Sequence, residues 1–239
     1  MSEPRRLPQR TPDEELLAVP RPGVPATLQT DATRIARMTG ELAMGFAALA
    51  EVERGVAVFG SARTPETDPE YALAREVGRR LGDADFAIIT GGGGGCMAAA
   101  NRGARDAGAL SIGLSIDLPF EEHENQWIDL PLNFHYFFTR KVMFVRYSLA
   151  FVALPGGFGT LDELFECLTL IQTRKVHHFP ILLVDRDYWT PLVDWLRDKV
   201  LGGGKISPPD LELFQVVDGP EDVVAAVQAA AVQQRRRSR

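Results

Sequence analysis

Phe86-Ala-Ile-Ile-Thr90, then Gly91-Gly-Gly-Gly-Gly95, then a helical pattern over residues 96–107: this stretch decides the fold. The first part is a short apolar run, as expected of a strand buried on both faces of a parallel sheet. The last part reads as a helix. Between them, five glycines give the backbone freedom to turn tightly and to approach a ligand without side chains in the way. A helix opening directly behind such a turn presents N–H groups with no intrahelical partner and the positive end of its dipole. Together these make an anion site, phosphate being the usual guest. A plain strand-to-helix turn would carry the same letters.

The same unit recurs on both sides. Upstream, Gly55-Val-Ala-Val-Phe-Gly60 is an apolar run closed by glycine, and residues 68–81 follow as a helix with Asp68 as cap and Pro69 in its first turn. Downstream, Leu110-Ser-Ile-Gly-Leu114 is a third strand, residues 117–132 read as an irregular polar loop over a site, and residues 134–148 as a helix. Ala150-Phe-Val-Ala-Leu154 is a fourth strand, closed by Pro155-Gly-Gly-Phe-Gly159 and followed by a helix over 160–173. Pro180-Ile-Leu-Leu-Val184 is a fifth, followed by an amphipathic helix over 188–200 that Gly202-Gly-Gly-Lys205 stops. Leu213-Phe-Gln-Val-Val217 and a helix over 220–233 close the pattern. Strands alternating with helices predict an α/β fold, a Rossmann-like, doubly wound, mostly parallel sheet in a single domain over residues 31–234. Ligands of such sheets bind at the carboxyl ends of the strands, near the switch in strand order, and three glycine turns lie at such ends here.

Before the first strand, residues 31–51 read as an additional helix. Ile35, Met38, Leu42, Met44, Phe46 and Leu49 fall near one face, and Asp31 is placed to cap it. Residues 1–30 are rich in Pro, Arg and Glu without a period, and read as a flexible tail; residues 235–239 form a short basic tail.

The 239 residues carry a net charge of −6, which argues against a nucleic-acid binder. No window is long and apolar enough to span a membrane, and no apolar stretch behind the first arginines suggests a secretory signal. Cys96 and Cys167 lack the spacing of a disulfide framework or a zinc site, so a cytoplasmic protein without a metal is expected. His135 precedes the turn that carries Arg140, and a packed or exposed role suits it better than a ligand's; His123, His177 and His178 fall in loops.

The residues that can carry chemistry cluster in three places. In Pro155-Gly-Gly-Phe-Gly-Thr-Leu-Asp-Glu163, Gly156, Gly157 and Gly159 can cradle a phosphate, and Thr160 supplies a hydroxyl as phosphate donor or as helix cap. Thr160 and Glu163 also match a capping box. Glu166 lies one turn beyond Glu163 on the same face, able to serve a site or simply to be solvated. In Thr139-Arg140-Lys141, two cations follow three aromatics, and can offset phosphate charge or pair with surface acids. Gly92 and Gly93 belong to the first turn, and Ser61, behind Gly60, is a ligand-contact candidate that an ordinary polar turn would explain equally well. The first turn lacks the Gly-Lys-Ser/Thr of a Walker loop.

In this order the motifs GSAR (60–63), TGGGGGCMAAANRGA (90–104), FFTRKVMF (137–144) and PGGFGTLDELFE (155–166) resemble the Lonely Guy family of cytokinin riboside monophosphate phosphoribohydrolases, long mislabelled lysine decarboxylases. The resemblance runs from about Val56 to Val224, and the longer N-terminal helix resembles the larger bacterial subgroup. It implies that Arg140 and Glu163 are the catalytic pair. It implies that Gly92, Gly93, Gly156, Gly157, Gly159 and Thr160 bind the nucleotide phosphate, with Lys141 beside the arginine. It further implies hydrolysis of AMP or an N6-modified AMP to base and ribose 5-phosphate without a cofactor, by a homo-oligomer, a dimer or a hexamer built from dimers. One departure is Ala98, where the larger subgroup usually has Glu. A non-catalytic nucleotide or molybdenum-cofactor carrier or sensor would share the fold and the loops. A lysine decarboxylase would need pyridoxal phosphate on a lysine, an arrangement the sequence does not suggest.

Overall fold

A computed structural model of the chain describes residues 16–17, 31–117, 125–176 and 179–237, with residues 235–237 described by backbone only. The rest of the expected N-terminal tail, His123, His177, His178 and the side chains of the basic C-terminal tail lie outside the described residues. In chain order the elements are α1 (Asp31–Ala48), β1 (Gly55–Phe59), α2 (Pro69–Asp83), β2 (Ala87–Thr90), α3 (Gly95–Asp106), β3 (Ser111–Ile116), β4 (Leu130–Phe134), α4 (Phe137–Tyr147), β5 (Ser148–Ala153), α5 (Phe158–Gln172), β6 (Ile181–Val184), α6 (Arg186–Trp195), β7 (Phe214–Val217) and α7 (Pro220–Arg237).

The seven strands form one sheet in the order β4-β3-β2-β1-β5-β6-β7, every described pairing being parallel. From β1 the chain winds outward through β2, β3 and β4, then returns to the other side of β1 and winds outward through β5, β6 and β7. The switch in strand order therefore lies between β1 and β5, the position where doubly wound sheets bind ligands.

β1 and β6 are buried along their whole length because helices cover both faces of the sheet, and alternate residues serve different cores. Ala57 and Phe59 of β1, with Ile89, Phe151 and Leu183, pack on Met143 and Phe144 of α4 and on Leu164 and Cys167 of α5. Val56 and Val58, with Ile88, Val152 and Leu182, pack on Tyr71, Val77 and Leu81 of α2, Ala99 and Ala100 of α3, and Val223 and Val227 of α7. Asp68 caps α2 as expected, its side chain accepting from Glu70 N, with Pro69 in the first turn. The helix expected over 188–200 is α6 continued by a π-helical segment, Leu196–Leu201, and residues 202–204 stop it, Lys205 N closing back on Val200 O at 2.8 Å.

Three expectations change. Residues 130–132, placed in the polar loop, and Phe134, placed in the helix after it, belong to the edge strand β4, paired with β3 from Ile112↔Leu130 to Ile116↔Phe134. Only alternate residues there are buried (Leu132 and Phe134), and Pro131 is tolerated because the strand has a free edge. The helix after it consequently begins at Phe137, not Phe134. The third change is in α1, which buries Arg34, Glu41 and Gly45, with Leu49 buried in the turn behind it and Met38 and Leu42 half-buried, and leaves Ile35, Met44 and Phe46 exposed. Asp31 lies inside its first turn and pairs with Arg34 at 2.8 Å. No helix among the described residues is long and apolar enough to cross a membrane.

Candidate active site

Because β1 lies between β2 and β5, the turns that follow these three strands meet at one edge of the sheet. Ser61 joins them: its N–H donates to Pro155 O and its carbonyl accepts from Cys96 N, both at 2.9 Å. Its side-chain oxygen accepts from Arg63 N at 3.1 Å. Around this joint opens a cleft of about 1260 Å³, lined by Ser61, Gly92, Gly93, Arg140, Gly156, Gly157, Gly159, Thr160 and Glu163 among others. Nine of the eleven side chains or turns singled out in the sequence are thus brought together. Lys141 and Glu166 are not among the lining residues. The Lys141 ammonium lies 2.8 Å from Asp162 Oδ2 and 2.7 Å from Glu166 Oε2, an ion pair that ties α4 to α5 beside the cleft. Burial opposes the charge on Lys141, but the hydrogen bonds to Asp162 and Glu166 outweigh it, and the pKa rises.

The Gly91–Gly95 turn begins with Gly92 at φ +78°, a conformation that favours glycine. Gly92 N donates to Thr90 Oγ1 at 3.0 Å. Beside it, α4 delivers Arg140. Its Nε donates to Leu114 O at 2.6 Å, and its Nη2 reaches Gly91 O at 3.4 Å. The guanidinium also stands 5.3 Å from the centre of the Phe144 ring. The carbonyl ends of β2 and β3 thereby fix a cation at the cleft wall. A Cβ at residue 91 would lie only 2.5 Å from Arg140 Nη2.

On the other side, α5 starts at Phe158 with Gly157 as its N-cap and no side-chain cap bond. The capping box expected between Thr160 and Glu163 is therefore not formed. The chain enters the helix three residues before a Thr160 cap would allow, so Thr160 stands in the first turn and is buried beneath Gly156, where a Cβ would collide with its Oγ1. Glu163, released from capping, lies on the second turn, facing the cleft.

Glu163 is 5% exposed, and its Oε2 has no hydrogen-bond partner among the described residues. Burial pushes its pKa up to about 7; Lys141 and Arg140 pull the other way, and Glu166 and Asp162 add to the rise. A buried carboxylate with an unmet acceptor is costly to keep. Here it stands at the wall of an open cleft, close enough to a fixed arginine to feel its charge. This arrangement can stabilise a developing positive charge or take a proton from water, while the opening turns of α3 and α5 offer N–H groups to an anion.

Sequence reasoning missed several lining residues. Met97, Asp117, Asn133, Phe137 and Tyr188 also face the cleft. Tyr188 Oη donates to Gly156 O at 2.6 Å, steadying the turn before α5. Its position just past the carboxyl end of β6 is the one signal that could have found it. Phe158, 93% exposed, stands at the rim. Ala98 is buried on α3 and is not among the lining residues. His135 is tied to Glu41 Oε1 through its Nδ1 at 3.0 Å, away from the cleft.

Residues 97–227 match the family model described as possible lysine decarboxylase. A cytokinin riboside 5'-monophosphate phosphoribohydrolase of Mycobacterium tuberculosis is 33% identical over 174 residues, covering 72% of this chain and 91% of that protein. A probable enzyme of the same name from Oryza sativa subsp. japonica is 30% identical over 74% of this chain and 78% of its own length. A second rice relative is 38% identical over 90 residues, which cover 36% of its own length. Among solved structures, the molybdenum cofactor carrier protein of Chlamydomonas reinhardtii superimposes with a TM-score of 0.55 at 22% identity, over 75% of this chain and 99% of that one. At that identity the likeness establishes a shared fold. The extent of the sequence matches, together with the motifs that meet in the cleft, shows that the chain belongs to the Lonely Guy family.

Proposed function

We propose that this protein is a nucleoside 5'-monophosphate phosphoribohydrolase that converts AMP or an N6-modified AMP and water to the free base and ribose 5-phosphate. The observation that carries the reading is Glu163, a buried carboxylate with an unpartnered oxygen beside Arg140 and next to two helix N-termini. The names of the relatives in Mycobacterium tuberculosis and rice support it. The turns at residues 91–95 and 156–160 bind the 5'-phosphate and so fix the ribose, and Arg140 orients the ribose hydroxyls or the phosphate. The C1'–N9 bond breaks with its electron pair leaving on the base, and positive charge grows on the ribose. Glu163 stabilises that charge. The water oxygen bonds to C1', one water proton passes to Glu163, the departing base nitrogen takes up a proton from solvent, and Glu163 returns its proton to solvent, so that one water is consumed. No cofactor or metal enters this scheme. Copies of the chain assemble as a dimer or a dimer-based hexamer, and the reaction takes place in the cytoplasm, where buried thiols such as Cys96 and Cys167 stay reduced.

The test is hydrolysis by purified protein of AMP and of isopentenyladenosine monophosphate, following free base by chromatography. Base released by wild type and lost on Glu163→Gln, with nucleotide binding retained, is the expected result. Nucleotide bound for hours without release of base would replace the enzyme with a carrier or sensor.

A further inference from the structure

The five glycines of residues 91–95 have no side chains with which to hold a shape, yet a phosphate cradle must be shaped before its ligand arrives. The restraint comes from Asn125, thirty-odd residues away in sequence. Its Nδ2 lies 3.1 Å from Gly92 O, 3.0 Å from Gly93 O and 3.0 Å from Asn101 Oδ1. Its own N–H donates to Gly92 O at 2.9 Å. Its Oδ1 accepts from Trp127 N at 3.0 Å, which fixes which end of the carboxamide faces the turn. Asn101, fully buried, anchors the arrangement: its Oδ1 also accepts from Thr90 Oγ1 at 2.6 Å and its Nδ2 donates to Ser111 Oγ at 2.8 Å. Thr90 in turn accepts from Gly92 N. A continuous set of hydrogen bonds therefore runs from β3 through Asn101 and Asn125 to both carbonyls of the turn.

A trans peptide holds its C=O and N–H on opposite sides. Drawing the carbonyls of Gly92 and Gly93 toward Asn125 therefore aims the N–H groups of Gly93 and Gly94 the other way. Two successive N–H groups turned to one side form an anion-binding concavity, and Gly91, Gly92 and Gly93 line the cleft. We infer that Asn125 is a positioning residue that shapes the Gly91–Gly95 turn into a phosphate cradle and so selects phosphorylated over unphosphorylated ligands. It touches no reacting atom. The inference rests on the phosphate role proposed above for this turn.

The experiment compares binding of AMP and of adenosine by calorimetry to wild type, Asn125→Ala and Asn125→Leu, the latter keeping the volume but not the donors, with a melting curve for each. Wild type is expected to bind AMP well above adenosine. Each variant is expected to lose roughly tenfold or more in AMP affinity while adenosine binding stays within about threefold. In hydrolysis, the loss should fall on KM more than on kcat. Variants that keep the wild-type preference for AMP would overturn the role of Asn125 while leaving the phosphate site standing. AMP and adenosine falling together, or a Leu variant without a cooperative melt, would reduce Asn125 to a structural residue and overturn the inference as well. A wild type that does not prefer AMP would remove the phosphate reading itself, and this inference with it.

Discussion

Glu163 carries opposite consequences for stability and for activity. Its carboxyl is held near pKa 7 by burial against an ordinary value of 4.5. A raised pKa means that the folded state binds the proton more tightly than the unfolded chain. The associated stability is complete below about pH 4.5 and is lost as pH rises through 7. The shift corresponds to about 3 kcal/mol. Glu163→Gln cannot ionise and escapes this loss, so it should equal wild type near pH 5 and exceed it at pH 8 by a few kcal/mol, as read by urea denaturation at the two pH values. Equal differences at both would show that the carboxyl is not strained in the fold. The same titration should appear in kcat/KM, which is expected to rise as pH passes through about 7 and Glu163 ionises. Gly91 tests the neighbouring cation. Gly91→Ala puts a methyl against Arg140 Nη2 and Met97 Sδ, and should cut turnover at least tenfold with little change in melting temperature, because the ends of these two long side chains can be pushed out of their contacts without moving the backbone. Arg140, Glu163 and the glycines were legible through the resemblance of their motifs to a family; read locally, Glu163 stood between cap and site and Arg140 between phosphate and surface acids, because a turn or a helix taken alone does not say what it faces. Thr160 stood open between helix cap and phosphate donor because the box pattern is local, and the cap reading fails because the helix starts three residues earlier, at Phe158. Tyr188 offered only its place after a strand, and Asn125 not even that: nothing in an asparagine of a polar segment announces the carbonyls it will meet across the fold.

At the scale of elements, the alternation of apolar runs and helices predicted six of the seven described strands. β4 escaped because an edge strand, buried on alternate residues and holding a proline, resembles a loop. α1 shows a different difficulty. Its periodicity is helical, but the face that packs is set by α4. Glu41 is buried there and accepts from His135 N at 3.1 Å, His135 Nδ1 at 3.0 Å and Thr139 Oγ1 at 2.6 Å, and Gly45 lies under Met143. A polar clasp, rather than the apolar stripe Ile35, Met44 and Phe46, docks this helix on the one that carries Arg140. Glu41→Ala takes the acceptor from the His135 N–H and one of the two acceptors from the Thr139 hydroxyl, which keeps Tyr136 O, and should destabilise by about 1–3 kcal/mol in denaturant titration. Ile35→Ser, on the exposed face, should stay within about 0.5 kcal/mol. Equal costs at the two positions would mean that α1 is held by its apolar side after all.

Over the whole molecule, the order of strands does what no segment can. Three glycine turns, each ambiguous by itself, become one cleft because β2 and β5 flank β1; strand order is not written in local sequence, which is why the cleft had to be expected by analogy. The same assembly leaves apolar side chains on the outer sides of α4 and α5: Phe137, Phe138, Val142, Phe158 and Phe165 are all exposed. Phe158, Leu161, Phe165 and Leu170 share one groove along α5, next to the Lys141 ion pair and adjoining the cleft. A monomer rarely presents so many large apolar groups in one place. If the proposed assembly of copies uses this face, light scattering at micromolar concentration should give at least twice the mass of one chain, and Phe165→Asp, which places a charge in the middle of the groove without touching the core, should return it to one. Because the groove borders Glu163's helix, that variant should also lose activity in step with its loss of mass, recovering part of it at high protein concentration. A wild type that scatters as a single chain and still hydrolyses nucleotide would show that the cleft is complete within one copy.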